Sequence, residues 1–219
     1  MKNMNNAIRH HLTDDLLMAY AAGTLPEAFD LMVATHLSLC DHCRAQAESF
    51  EAVGGHVLED QGDSVEMSQD SLAATMALIA KGAPAPKPKP PSCSVLPAPL
   101  RDYVGGDVNS IRWKPIGMGV KQAILPTTKE ATARLLFIPA GAAVPDHGHK
   151  GMELTMVLQG AFSDEVDHFA RGDVEIADED LEHTPVADMS EDCICLAVTD
   201  APLKFNSLIP RLVQPFLRI

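Results

Sequence analysis

His36, Cys40 and Cys43 stand in an H-x3-C-x2-C spacing. On a helix, His36 and Cys40 at i and i+4 share one face, and Cys43 falls on nearly the same stripe or just into a following helix. Two thiolates and an imidazole favour Zn2+, which is tetrahedral and takes four ligands. The fourth is available upstream, in His10 or His11; His11 is nearer the start of the first expected helix and so the better fixed. His42, inside the C-x2-C, reads as exposed, and His56, in an acidic stretch read as a loop, takes no role. A helical segment of about 80 residues buries little apolar surface, and a structural ion would compensate for that.

A second constellation spans 141–160, GAAVPDHGHKGMELTMVLQG. It reads G-x5-H-x-H-x3-E-x6-G, from Gly141 through His147, His149 and Glu153 to Gly160. Two residues apart on a strand, His147 and His149 point to one side. Glu153 continues into the next strand and Gly160 supplies the turn after it. His183 in LEHTPV is the candidate fourth ligand from a later strand. Three imidazoles and a carboxylate can hold Zn, Fe, Mn or Ni, and ligand type alone does not choose. His168 reads as a surface residue. Cys193 and Cys195 alternate on one apparent strand and face one side; they read as apolar core thiols, with a redox-active pair as the alternative. Cys93 has no activating neighbour.

The elements that must position these groups follow from pattern. Thr13 caps a helix reaching Ala22, with Asp14 and Asp15 in its first turn and Gly23 after it. Pro26 fits the first position of a second helix, which carries Phe29, Met32, Val33 and Leu37 at helical spacing. A third helix starts near Asp41 and is expected to stop at Gly54-Gly55; Ser71 to Ala80 reads as a fourth. Between Ala45 and Ala80 there is no Lys or Arg, only acids such as Glu48, Glu51, Glu59 and Asp70. Seven prolines between Gly82 and Pro99 predict an extended, semi-rigid spacer. After Arg101 short apolar runs at 134–138, 153–158 and 193–199, punctuated by Gly, Pro and Asp, predict an all-β unit. The fold class is therefore α + β in two domains: a helical domain over 1–81, a linker over 82–99 and an all-β, jelly-roll-like barrel over 100–219.

A net charge of −13 argues against direct nucleic-acid binding, which needs a Lys/Arg surface, and favours a basic protein partner. Five irregularly spaced cysteines do not make a disulfide scaffold; reduced thiols and the lack of an apolar h-region or an 18-residue apolar run predict a cytoplasmic protein outside the membrane.

The 141–160 stretch resembles the first cupin motif without a gap. The segment from Gly172, GDVEIADEDLEHTPVA, resembles the second, matching at Gly172 and His183 and departing from it where Asp178, Asp180 and Ala187 replace Pro, Gly and Asn. The H-x3-C-x2-C with an upstream His resembles a zinc-binding anti-sigma domain, and the pairing of the two resembles the ChrR family of anti-sigma factors over nearly the whole chain. That resemblance implies a protein that binds an extracytoplasmic-function sigma factor and keeps it from RNA polymerase core. It implies that the N-terminal domain suffices for binding, and that the cupin responds to singlet oxygen or related oxidants. It implies zinc on His11, His36, Cys40 and Cys43, and a divalent metal on His147, His149, Glu153 and His183. A second copy of the chain is a further candidate partner for the cupin. The competing class is a cupin metalloenzyme, dioxygenase- or isomerase-like, with a regulatory zinc domain.

Overall fold

The computed structural model describes residues 7–60, 67–82, 94–148, 150–179 and 181–202, and the strand at 204–205. His149, Cys93, Asp180 and the stretch 83–93 of the expected spacer lie outside the described residues.

The first helix, α1 (Asp14–Ala21), begins where Thr13 caps it: the Thr13 hydroxyl accepts the Leu16 N–H at 3.4 Å. In α2 (Glu27–Leu37), Pro26 is the N-cap rather than the first helical residue, with ψ 146° outside the helical region. Helix α2 is buried on nearly every side through Ala28, Phe29, Leu31, Met32, Val33 and Leu37, the pattern of a helix enclosed by other elements. The third helix, α3 (Asp41–Asp60), runs through Gly54-Gly55, the expected stop, and carries His56, which is therefore not in a loop. Neither glycine adopts positive φ, and a glycine in a helix interior costs only about 1 kcal/mol relative to alanine. Helix α4 spans Ser71–Ala80 as expected. Helix α5 (Ala98–Val104) starts inside the expected spacer. Just before it, Leu96 is fully buried, and the N–H groups of Val95 and Leu96 donate to the Asp107 carboxylate at 3.2 and 3.0 Å. The end of the proline-rich stretch thus folds onto the β region instead of spanning a gap.

The strands are β1 (Lys114–Gly117), β2 (Val120–Ile124), β3 (Thr132–Ile138), β4 (His147–Gly148), β5 (Glu153–Gln159) and β6 (Ala161–Ser163). They continue with β7 (His168–Ala170), β8 (Val174–Ala177), β9 (Glu182–His183), β10 (Val186–Ala187), β11 (Cys193–Thr199) and β12 (Lys204–Phe205). A six-stranded antiparallel sheet runs β1-β2-β3-β11-β5-β8, and two three-stranded sheets run β10-β6-β7 and β12-β4-β9. Among the described residues the sheets stay open and do not close into the expected barrel. Gly160 makes the turn after β5 with φ +69°, and a Cβ there would meet the Asp192 carbonyl at 2.7 Å.

The centre of the six-stranded sheet is covered on both faces. One face presents Leu135, Leu154, Met156, Leu196 and Val198 to α2, in a continuous apolar cluster with Phe29, Met32, Val33, Leu17 and Leu100. The other presents Val120, Ile138, Val157, Cys193 and Cys195 to Phe162 and Phe169 of the small sheet. The thiols of Cys193 and Cys195 are buried and unoxidised, with the sulfurs 3.5 Å apart. A polar clasp joins helices to strands: the Glu27 carboxylate accepts the Tyr103 hydroxyl and the Thr128 N–H, both at 2.7 Å.

Because α2 and the sheet share one core, Met32→Ala should lower stability by about 2–5 kcal/mol and shift helix and sheet together. Trp113, the single tryptophan, packs on Phe137 of β3, so its fluorescence reports the β region while far-UV circular dichroism weights the helices. Coincident shifts of both denaturation curves are expected; a shift in the helical signal alone would show two independent cores.

Candidate metal centres

The N-terminal centre forms where α2 ends and α3 begins. His36 sits in the last turn of α2, Cys40 follows it, Cys43 lies in the first turn of α3, and His11 comes from the segment before α1. One ligand atom from each lies within 4.8 Å of the others. His11 Nδ1 is 3.3 Å from Cys40 Sγ and 3.6 Å from Cys43 Sγ, matching the edge of about 3.5 Å that tetrahedral zinc–nitrogen and zinc–sulfur bonds dictate. His36 Nδ1–H donates to the Gly172 carbonyl at 3.0 Å. That bond fixes the tautomer and leaves Nε2, which is buried with no hydrogen-bond partner, as the ligating atom. Burial lowers the His36 pKa to about 4, so the ring is neutral near pH 7, and burial pushes the Cys43 thiol up to about 11. His10 points elsewhere, its Nε2 3.0 Å from Asp167 Oδ2 and its Nδ1 3.6 Å from Asp173 Oδ1. His42 is exposed, with its ring beside that of His11. These four residues can hold a metal ion, and it is His11 rather than His10 that joins the two sulfurs.

The second centre lies in the β region. His147 on β4 and His183 on β9 face each other in antiparallel register, both buried. His147 Nδ1–H donates to the Pro145 carbonyl at 2.8 Å, and His183 Nδ1–H lies 2.9 Å from Glu175 Oε1 and 3.0 Å from Asp164 Oδ2. With both Nδ1 atoms acting as donors, the two Nε2 atoms converge at 3.3 Å. Two lone pairs at that separation repel unless a cation or a proton lies between them. A proton on His183 removes that repulsion, and a divalent ion held by the two nitrogens would do the same. Burial acts against a charged His183, but hydrogen bonds and charge from Glu175, then Asp164, raise its pKa to about 9. Burial, then the charge on His183, lowers His147 to about 4. Glu153 is buried at the head of β5, opposite Ala177 of β8, and accepts the Thr155 hydroxyl at 3.1 Å. His168 is an exposed residue at the start of β7, 3.1 Å from Asp188 Oδ2.

Comparison with known proteins bears on the whole chain. A family model described as the ChrR cupin-like domain matches residues 102–203. The anti-sigma-E factor ChrR of Cereibacter sphaeroides is 61% identical over 212 residues, which span 97% of this chain and 99% of that protein. The chain belongs to the ChrR family of anti-sigma factors. A crystal structure of Rhodobacter sphaeroides SigE in complex with the anti-sigma ChrR matches this ChrR-family chain with a TM-score of 0.77 and 59% identity, covering 89% of it and 100% of the matched chain.

Two residues of the ChrR-family cupin escape sequence reading. Asp164 and Glu175 converge on His183, the ligand atoms of all three within 4.8 Å of one another. Burial raises Glu175 to about 7. Asp164, although burial opposes it, is held down to about 2 by hydrogen bonds from Glu175, the Asp167 N–H and His183. In the sequence, Glu175 sits between Val174 and Ile176, so alternation alone assigns it to the solvent side. It points inward because Val174 and Ile176 turn the other face of β8 into the apolar core, beside the N-terminal segment.

Ion and proton compete for the Cys43 sulfur. Metal loading of the N-terminal centre at pH 7 should therefore release a proton from Cys43, and affinity should fall as pH falls. Calorimetry in buffers of different ionisation enthalpy measures both effects; a buffer-independent heat would contradict thiolate ligation.

Proposed function

We propose that this ChrR-family chain is a cytoplasmic anti-sigma factor that captures an extracytoplasmic-function sigma factor of the SigE type through its N-terminal helices. Its cupin acts as an oxidant sensor and not as a catalyst. The observation that carries the reading is α4. Its sequence, SLAATMALIA, is apolar nearly all round, yet none of its residues is buried, and Leu72, Met76, Leu78 and Ile79 are all exposed. The second half of α3 adds exposed Val53, Val57 and Leu58. A helix hydrophobic on every side is normally enclosed, and a contiguous exposed apolar surface marks an interaction site. The acidic stretch around these helices, free of Lys and Arg, suits a partner that is basic where it meets DNA and polymerase.

Zinc on His11, His36, Cys40 and Cys43 would fix α2 against α3 and so hold the docking helices at one angle before the partner arrives. Zinc, iron, manganese or nickel on His147, His149, Glu153 and His183 would give the cupin its sensing centre. Singlet oxygen or a related oxidant acting there would lower affinity for sigma. The free thiols of Cys40, Cys43, Cys193 and Cys195 favour a reducing compartment, and no helix among the described residues is long and apolar enough to cross a membrane.

Co-expression with a SigE-type sigma factor should give a stable 1:1 complex. Leu72→Asp with Ile79→Asp should weaken it more than about 100-fold, as loss of two central apolar anchors does; undiminished binding of that double variant would move the docking surface elsewhere. Replacing His147 and Glu153 by Ala should leave sigma inhibition intact and abolish oxidant-triggered release, read by transcription from a sigma-dependent promoter. Loss of inhibition itself would contradict the division of labour between the domains.

A further inference from the structure

One short turn reaches both metal centres. Gly172, between β7 and β8, has φ +93°, and a Cβ there would lie 2.6 Å from the Ile8 side chain, so the turn admits only glycine against the N-terminal segment. The Gly172 carbonyl takes the His36 Nδ1–H. Next in sequence, Asp173 is 3% exposed. Its Oδ1 accepts the N–H groups of Arg9 at 2.6 Å and His10 at 3.0 Å, and its Oδ2 accepts the Ala170 N–H at 2.9 Å. Val174 then donates its N–H to the His10 carbonyl at 3.2 Å. The segment that delivers His11 is thereby bonded along the start of β8, the edge strand of the six-stranded sheet. Glu175, one residue further, leaves β8 on the opposite face and takes the His183 Nδ1–H inside the cupin.

We propose that residues 172–175 are an outer shell common to both metal centres. Asp173 is a positioning residue for the N-terminal centre, Glu175 is one for the cupin centre, and a disturbance at either centre reaches the other through β8. Groups that orient a ligating imidazole change metal affinity about 10–100-fold. Here the groups orienting His36, and the backbone leading to His11, belong to the other domain. Any effect of the cupin centre on the N-terminal one must have an equal reciprocal in binding free energy. The proposal rests on both centres binding metal, as the proposed function does, and the stoichiometry of the wild-type chain tests that premise separately.

The full chain loaded with Co2+ serves as the probe, because thiolate ligation gives sulfur-to-metal absorption in the near ultraviolet that a nitrogen and oxygen centre lacks. Release of each ion to a chromophoric chelator is then followed centre by centre. Asp173→Ala should speed release from the thiolate centre by about tenfold or more and, through β8, release from the cupin centre by a smaller factor. Glu175→Ala should speed release from both, and Glu175→Gln, which keeps an acceptor oxygen for His183, should restore most of the wild-type rate. Glu27→Ala, which opens the clasp to Tyr103 and Thr128 without touching either shell, should leave both rates unchanged. If Asp173→Ala does not fold, Arg9→Pro removes the donor at 2.6 Å and leaves Asp173 in place, with the same expected acceleration. A wild-type thiolate rate in these Asp173-directed variants, an effect of Glu175→Ala confined to the cupin, or equal acceleration by Glu27→Ala would each overturn the proposal. Uptake of a single Co2+ by the wild-type chain would overturn it at its premise.

Discussion

The burial of α2 against the outer face of the six-stranded sheet is the constraint from which the remaining arrangement follows. A helix apolar on most of its circumference must be enclosed, and the sheet encloses it with Leu135, Leu154, Met156, Leu196 and Val198. That contact leaves the centre of the sheet no solvent face, so β11 is buried at every position and reads as an unbroken apolar run. It also brings the C-terminal end of α2, and with it His36, over the turn at Gly172. The placement of the thiolate centre against the cupin is thus a product of packing before it is a product of metal chemistry.

Inside the cupin the governing quantity is charge. Glu153, Glu175 and His183 are buried, and the Asp164 side chain at His183 is likewise enclosed. Carboxylates removed from water need a positive counterpart nearby. Without metal, a proton on His183 supplies it for Glu175 and Asp164, and the buried Arg134 supplies it for Glu153. A divalent ion held by His147 and His183, whose Nε2 atoms lie 3.3 Å apart, would satisfy the same demand in place of that proton. The N-terminal cluster differs: a neutral His36 with its tautomer set by a backbone carbonyl, and a Cys43 thiol that burial pushes up.

Much of this was legible in the residues. The convergence of His36, Cys40 and Cys43 depends on local spacing, which sequence displays directly, whereas His11 beside them and His183 opposite His147 come from distant segments. The helix cap at Thr13 and the strands at 134–138, 153–158 and 193–199 were legible from local spacing too. What sequence hid depends on what covers a surface. Glu175 alternates with apolar neighbours as a solvent-facing acid would, and only the core and the N-terminal segment lying against β8 turn that inference around. Gly54-Gly55 carries the composition of a helix stop without the left-handed backbone that makes one. Leu96 and α5 sit at the edge of a proline-rich run whose composition signals an extended chain, while Asp107, eleven residues on from Leu96, supplies the acceptor that folds it back.

The two borders of the six-stranded sheet bear on how the molecule behaves in a crowded solution. On one side, the His10 carbonyl occupies the Val174 N–H, so the N-terminal arm acts as a stopper where a foreign strand would otherwise add. On the other, β1 carries Lys114 and Pro115, a charge and a residue with no N–H to offer. A chain proposed to dock its partner on a bare apolar helix is thereby guarded against amyloid-like stacking along the borders of its sheet.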